Sequence, residues 1–289
     1  MISFKVPATT ANLGPGFDTM GLALELFNEY RVEISDELII EGCPQEYANE
    51  SNLFYQAYRL GCQHIGINDK IHLEMKANIP ISRGLGSSSA LIIGGLCAAS
   101  FLHDHRLSDE DIIRLACRME GHPDNAVPAF LGGLTACVMN DDYPLIIRKN
   151  PHDDYVFTVF IPDFEVKTAD ARKILPKEIS LADAVYSSSR AIMMLEALEN
   201  GNEEMLRVSA DDKLHEPYRR KLILGFDELK REAIRNGAIS FLISGSGSTC
   251  LAISKTDELP QRMKKYLDNL KVNWQCFNLK AYNKQVTAL

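Results

Sequence analysis

A chain of 289 residues, 46% of them hydrophobic, is long enough to bury the cores of two lobes. Its net charge of -8 argues against nucleic acid as the main partner, because a phosphate backbone calls for a basic face. With no uncharged apolar run of about 18 residues, no membrane span is expected.

The chain opens directly on a strand pattern over residues 2–7, without the basic and apolar regions of a secretion signal. A second strand is expected over 20–34, a helix over 52–64 with Asn52 at its N-cap position, and a strand over 70–77. Helices follow over 88–102 and 108–118, with Ser108 and Asp111 in a capping arrangement, and then a strand over 135–139. The turns at 141–144 and 149–153 are the best boundary candidates, and the lobes are divided near residue 150. Beyond it come a strand over 154–161, helices over 181–199, 203–208 and 222–236, strands over 239–243 and 250–254, a helix over 258–267 and a strand over 272–279. That closing order suggests a small α/β sandwich of ferredoxin-like type, so the fold class is α+β. Cys43, Cys62, Cys97, Cys117, Cys137, Cys250 and Cys276 form no C-x-x-C pair and sit mostly among apolar neighbours. That is the usage of reduced thiols in a cytoplasmic protein.

The most informative segment is Pro80-Ile81-Ser82-Arg83-Gly84-Leu85-Gly86-Ser87-Ser88-Ser89-Ala90, which runs into an apolar helix. Gly84 and Gly86 allow a sharp turn and close approach to a ligand, and the first helix amides are unpaired at the positive end of the dipole. Three hydroxyls and Arg83 stand at the same place, and a triphosphate, as in ATP, is the obvious guest. It is not a Walker A loop, since no Gly-Lys-Ser/Thr follows, nor a dinucleotide fingerprint, since serine stands where the third glycine belongs. His103 and His105, at a helix end in a polar turn, look like a metal pair only in their spacing.

Two further glycine-rich segments, 6–24 and 243–253, flank this loop along the chain. Three such segments in this order resemble the small-molecule kinases that include galactokinase, homoserine kinase, mevalonate kinase and phosphomevalonate kinase. Ala11-Asn12-Leu13-Gly14-Pro15-Gly16-Phe17-Asp18 and Glu120-Gly121-His122-Pro123-Asp124-Asn125 look like the homoserine kinase branch. A galactokinase would carry an Arg-x-x-x-x-Gly-Glu-His type of element in the first position. The resemblance implies a two-lobed kinase: residues 1–150 form an ATP-binding lobe like the second domain of ribosomal protein S5, and 151–289 a ferredoxin-like lobe. It also implies a homodimer.

Phosphoryl transfer needs charge neutralisation, a divalent metal and an acceptor hydroxyl held in line. The resemblance assigns Mg2+ to Ser88 and Glu120, oxygen donors suited to a hard cation. It surrounds L-homoserine with Asn12, Asp18, His122, Asp124 and Asn125, with Asp18 and Asp124 near the ammonium. Arg172 and Arg219 are placed on the carboxylate, where a guanidinium binds in bidentate fashion. Asn125, Asp124, Thr168 and Arg172 are the residues expected at the chemistry. Asn52 either borders the adenine or serves only as a helix cap, and His122 is either a ligand or a structural histidine. Lys5 is expected to face elsewhere. No dedicated base is needed for a loose transition state, and Asp124 is already claimed by the ammonium. The product would be O-phospho-L-homoserine, on the route to threonine. Two rivals stand: a related kinase acting on another small alcohol such as threonine, and a silent ligand-binding paralogue. The intact loop, Ser88 and Glu120 speak against the second.

Overall fold

The computed structural model describes residues 1–289. In chain order the first part forms β1 (Ile2–Ala11), β2 (Met20–Ser35), β3 (Ile39–Glu41), α1 (Leu53–His64), β4 (Lys70–Lys76), α2 (Ser87–Leu102), α3 (Asp109–Glu120), α4 (Pro123–Leu131), β5 (Leu134–Asn140) and β6 (Tyr143–Lys149). The 16-residue β2 is the spine of the sheet, pairing with β1, with β4 along its second half and with β5 along its first. β3 and β6 form the two ends.

β1 runs past its expected end at residue 7 to Ala11, and its register slips between Pro7 and Ala8. A proline there has no N–H for the ladder, and a bulge absorbs the defect. The sequence missed α4 and β6. Pro123 at the first turn of α4 suits a helix start, and the Asp141 turn is a hairpin tip inside the first sheet, so it marks no boundary.

The second part forms β7 (Val156–Pro162), α5 (Thr168–Lys173), α6 (Leu181–Asn200), α7 (Glu203–Ser209), α8 (Glu216–Arg219), α9 (Phe226–Arg235), β8 (Ser240–Ile243), β9 (Cys250–Ser254), α10 (Leu259–Leu267) and β10 (Trp274–Leu279). The spatial order β10-β7-β9-β8, antiparallel throughout, is the ferredoxin-like arrangement expected from the sequence. The short α5 was not foreseen, and the helix expected from 222 begins at Phe226, after a 3-10 turn at Arg220–Leu222.

One apolar cluster of 54 buried residues contains Val6, Ile93 and Phe130 together with Val159, Met194 and Leu251, so the two sheets share it. A smaller cluster fills the space between the second sheet and α9 and α10. The last residues return to the first sheet: the amides of Val286 and Leu289 donate to the carbonyls of Phe130 and Ser3. No helix is long and apolar enough to cross a membrane.

Candidate active site

The glycine-rich loop ends on Gly86, which caps α2 in the left-handed conformation at φ +68°. A Cβ at Gly86 would lie 2.0 Å from Thr9 Oγ1, and one at Gly84 would lie 2.2 Å from the Ser244 carbonyl oxygen. Both glycines are required by close packing of the loop on β1 and on the segment after β8. That segment braces the loop directly: Ser244 Oγ donates to the Gly84 carbonyl at 2.6 Å, and the Thr249 amide to the Arg83 carbonyl at 3.0 Å. The Ala90 amide bonds the Gly86 carbonyl at 2.9 Å, which leaves the three serine amides before it without helical partners.

These amides open onto a cleft of about 430 Å³. Its wall includes Ile81 through Gly84, Gly86 and Ser87 through Ser89 from the loop, together with Glu120, His122, Asp124 and Asn125. Asn12, Asp18, Thr168, Arg172, Arg219, Gly245 and Ser246 line the same space. Its other end is formed by Cys43, Pro44, Tyr47, Leu53, Met75, Ala77 and Leu91, which no motif in the sequence marks.

Several expectations are corrected. Leu85 and Ala90 do not line the cleft but are fully buried, and the Ala90 carbonyl accepts from Tyr30 Oη at 3.0 Å. Pro80 lines a neighbouring groove. The Arg83 guanidinium is engaged away from the loop amides, by Glu165 at 3.2 Å and by the carbonyls of Pro162 and Asp163. It ties the loop to the second sheet. Asn52 lies on the wall, but its oxygen accepts from the Phe54 and Tyr55 amides and its nitrogen donates to the Tyr47 carbonyl. Capping occupies the side chain. Lys5 sits 4.0 Å over the Phe27 ring.

Three consecutive serines divide their tasks. Ser89 is buried and donates to Glu120 Oε1 at 2.6 Å, fixing this carboxylate at the end of α3, while Ser88 is exposed to the cleft. Glu120 and Ser88 are thus hard oxygen donors at one wall, a set that suits a divalent cation such as Mg2+.

Beside Glu120 in the same cleft lies a compact charged group. Asp124, in the first turn of α4, is 1% exposed, and its Oδ1 accepts from His122 Nδ1 at 2.5 Å. This bond holds the His122 pKa above its ordinary value, against the effect of burial. Asn125 Oδ1 accepts from Thr9 Oγ1 at 2.7 Å. Asn12 is buried and works on the backbone, donating to the Gly245 carbonyl at 2.8 Å and accepting from the Asp18 amide at 3.0 Å. Thr168 Oγ1 is 3.3 Å from Ser246 Oγ.

The two arginines differ sharply. Arg172 makes a two-pronged pair with Asp18, at 2.9 and 2.8 Å, across 154 residues of chain. Arg219 is 2% exposed and donates to the carbonyls of Ala171 at 3.3 Å and Gly245 at 3.1 Å. Burial, reinforced by the nearby charge of Arg172, lowers its pKa to about 10. Both guanidinium groups flank the Phe17 ring, at 5.8 and 5.0 Å.

One contributor escaped the sequence reading. The Asp212 carboxylate accepts from the amides of Leu214, His215 and Glu216, which sets the start of α8. His215 Nε2 is 2.8 Å from the Gly14 carbonyl, and its ring stacks on Phe17 at 5.3 Å. The first glycine-rich loop and the helix carrying Arg219 are joined there. In the sequence this shows only as an acid, Asp212, three residues before a histidine.

Comparison with known proteins agrees with this architecture. Residues 52–133 match the GHMP kinases N terminal domain and residues 194–272 the GHMP kinases C terminal. The chain is 39% identical over 294 residues to a homoserine kinase of Clostridium beijerinckii, covering 100% of this chain and 99% of that one. It is 40% identical over 290 residues to a homoserine kinase of Clostridium acetobutylicum, with 98% of each covered. The crystal structure of homoserine kinase from Cytophaga hutchinsonii superposes with a TM-score of 0.90 at 29% identity, covering 100% of this chain and 97% of that one. Similar in sequence along its whole length and in fold throughout, the chain belongs to the homoserine kinases of the GHMP kinase family.

Proposed function

We propose that the chain transfers the γ-phosphoryl group of ATP to the side-chain hydroxyl of L-homoserine, giving O-phospho-L-homoserine for threonine biosynthesis. One observation carries the reading. A single cleft joins the unpaired amides at the start of α2 to a set of charges complementary to an amino-acid zwitterion: Asp18, Asp124, Arg172 and Arg219. The amides and helix dipole suit phosphate oxygens, the carboxylates an ammonium and the guanidinium groups a carboxylate. The apolar end around Tyr47, Leu53 and Met75 suits the adenine ring.

In this reading Glu120 and Ser88 hold Mg2+, which neutralises charge on the phosphates when bound. Ser89 keeps Glu120 in place. The Arg172–Asp18 pair opens as homoserine enters, each partner exchanging the other for the ligand group of opposite charge. Asn125 and Thr168 orient the acceptor and the transferred group. Asp124 is engaged by His122 and directed to the ammonium, so the hydroxyl proton passes to a phosphate oxygen or to water without a dedicated base. We place the protein in the cytoplasm, a choice supported by its seven free thiols, and expect a homodimer, which light scattering tests. Residues 1–150 and 151–289 remain our division of the chain into lobes.

The test is ATP turnover with homoserine, threonine, galactose and mevalonate side by side, with homoserinol added as an acceptor that lacks the carboxylate. Homoserine should be the preferred acceptor and homoserinol far poorer. Equal turnover of homoserinol and homoserine would refute the carboxylate clamp.

A further inference from the structure

At the far end of α2 from the cleft, three side chains from separate elements converge. Cys62 lies near the end of α1, Asp69 immediately before β4, and His103 at the C-cap of α2. α2 has 16 residues, so at about 1.5 Å per residue this end is roughly 24 Å from the phosphate-loop amides. Cys62 Sγ is 3.8 Å from Asp69 Oδ1 and 3.8 Å from His103 Nε2. His103 Nε2 is 3.2 Å from Asp69 Oδ2. We propose that Cys62, Asp69 and His103 form a tetrahedral Zn2+ site, distinct from the catalytic cleft, that fastens α1, α2 and β4 together.

The distances fit zinc. With Zn–S about 2.3 Å and Zn–N and Zn–O about 2.1 Å, tetrahedral angles put sulfur about 3.6 Å from nitrogen or oxygen, and nitrogen about 3.4 Å from oxygen. The sulfur–nitrogen edge, at 3.8 Å, lies within about 0.2 Å of its expected value; Asp69 turns Oδ1 to the sulfur and Oδ2 to the nitrogen, and one ligand atom of each residue lies within 4.8 Å of the other two. A thiolate and a carboxylate neutralise the ion, and the mixed sulfur, nitrogen and oxygen set favours zinc over magnesium or calcium. Asp69 also lines an open surface cleft with Arg59 and Lys70, which brings one edge of the proposed site to the surface, and water would take the fourth position. Tyr58 Oη donates to Asp69 Oδ1 at 2.6 Å and orients the carboxylate from outside the ligand set.

Without metal, the Asp69 carboxylate gathers the Tyr58, Cys62 and His103 donors, so the ligands are held together before the ion arrives. Binding converts the Cys62 thiol to thiolate and releases its proton to solvent. The proton on neutral His103 moves to Nδ1, leaving the Nε2 lone pair for the metal. His105 takes no part: its ring lies 5.3 Å from Phe101, so the histidine pair noticed in the sequence is not the site.

The full-length protein, stripped with a chelator, is titrated with Zn2+ and separately with Co2+. One equivalent of zinc should bind and raise Tm. The cobalt form should show a thiolate-to-metal charge-transfer band with intense tetrahedral d–d absorption. Cys62→Ser should lose the band, and His103→Gln should weaken binding by more than the roughly 10–100-fold expected of Tyr58→Phe, which removes only the outer partner. Homoserine phosphorylation by Cys62→Ser should remain intact. No charge-transfer band in the unmodified chain would overturn the proposal, whatever the folding of the variants. So would a band that persists in Cys62→Ser.

Discussion

Replacing Arg172 and Arg219 in turn by lysine separates two duties that look alike in the sequence. Arg219 is 2% exposed and holds two backbone carbonyls, Ala171 on α5 and Gly245 beside the phosphate loop. A lysine ammonium lacks the planar fork and cannot span both acceptors. Losing one buried charge-assisted hydrogen bond costs about 1.5–3 kcal/mol. At roughly 2–4 °C per kcal/mol for a large domain, Tm should fall by roughly 3–12 °C. Arg172 differs because its pair with Asp18 is solvent-exposed, at 40% and 33% of the side-chain surfaces. Screening reduces such a pair to about 0–1 kcal/mol, so Arg172→Lys should leave Tm nearly unchanged. In the proposed clamp both variants would lose a bidentate partner for the homoserine carboxylate, and each should lower kcat/KM for homoserine by roughly ten- to a hundredfold. ATP binding measured without homoserine should barely change for Arg172→Lys. The assays are thermal melts, ATP titration by calorimetry and a coupled ADP-release measurement over a homoserine series. Wild-type Tm and kcat/KM in Arg219→Lys would refute the reasoning, as would a larger loss of Tm in Arg172→Lys than in Arg219→Lys.

Glu120→Gln keeps an oxygen for the Ser89 hydroxyl, so the fold should survive while the magnesium requirement rises about tenfold or more. A magnesium titration identical to wild type would remove Glu120 from the metal site. Gly86→Ala puts a Cβ against Thr9 Oγ1 and forces alanine into the left-handed region, so the damage begins on the strand side of the loop. Urea melts should show a loss of about 2–3 kcal/mol, from strain and from the broken Thr9–Asn125 bond; unchanged stability would contradict the packing. His122 should titrate above its ordinary value of about 6.5, because the Asp124 carboxylate favours the imidazolium. The raised folded pKa makes its stabilisation complete below about pH 6.5 and removes it as pH rises through the folded value. NMR titration of the ring checks this, since a wild-type value at or below that of Asp124→Asn would exclude the coupling.

Local chemistry, written in the chain itself, determined much of this protein. Ser108, with the Asp111 amide on its side chain, starts α3 where the sequence places it. Gly84 and Gly86 announced a loop that tolerates no Cβ, and the strand and helix order after residue 238 announced the ferredoxin-like sheet. These features are legible because each depends on a few neighbouring residues: a hydroxyl and an amide three positions apart, a positive φ, an alternation of side chains. Partners distant in sequence were decided only by the tertiary structure. Arg219 and Arg220 are adjacent, yet one is buried against Gly245 and the other reaches Asp227 at the surface. Asp18 meets Arg172 because the two lobes share one core, and no local pattern encodes that pairing. Which of three serines holds Glu120 depends on the phase of α2, advancing about 100° per residue from the cap at Gly86 and set against the end of α3. Cys62, Asp69 and His103 likewise acquire a common purpose only where two helix ends and a strand entry meet. Their side chains carry the same chemistry anywhere in the chain, but packing alone sets the distances that let them act together.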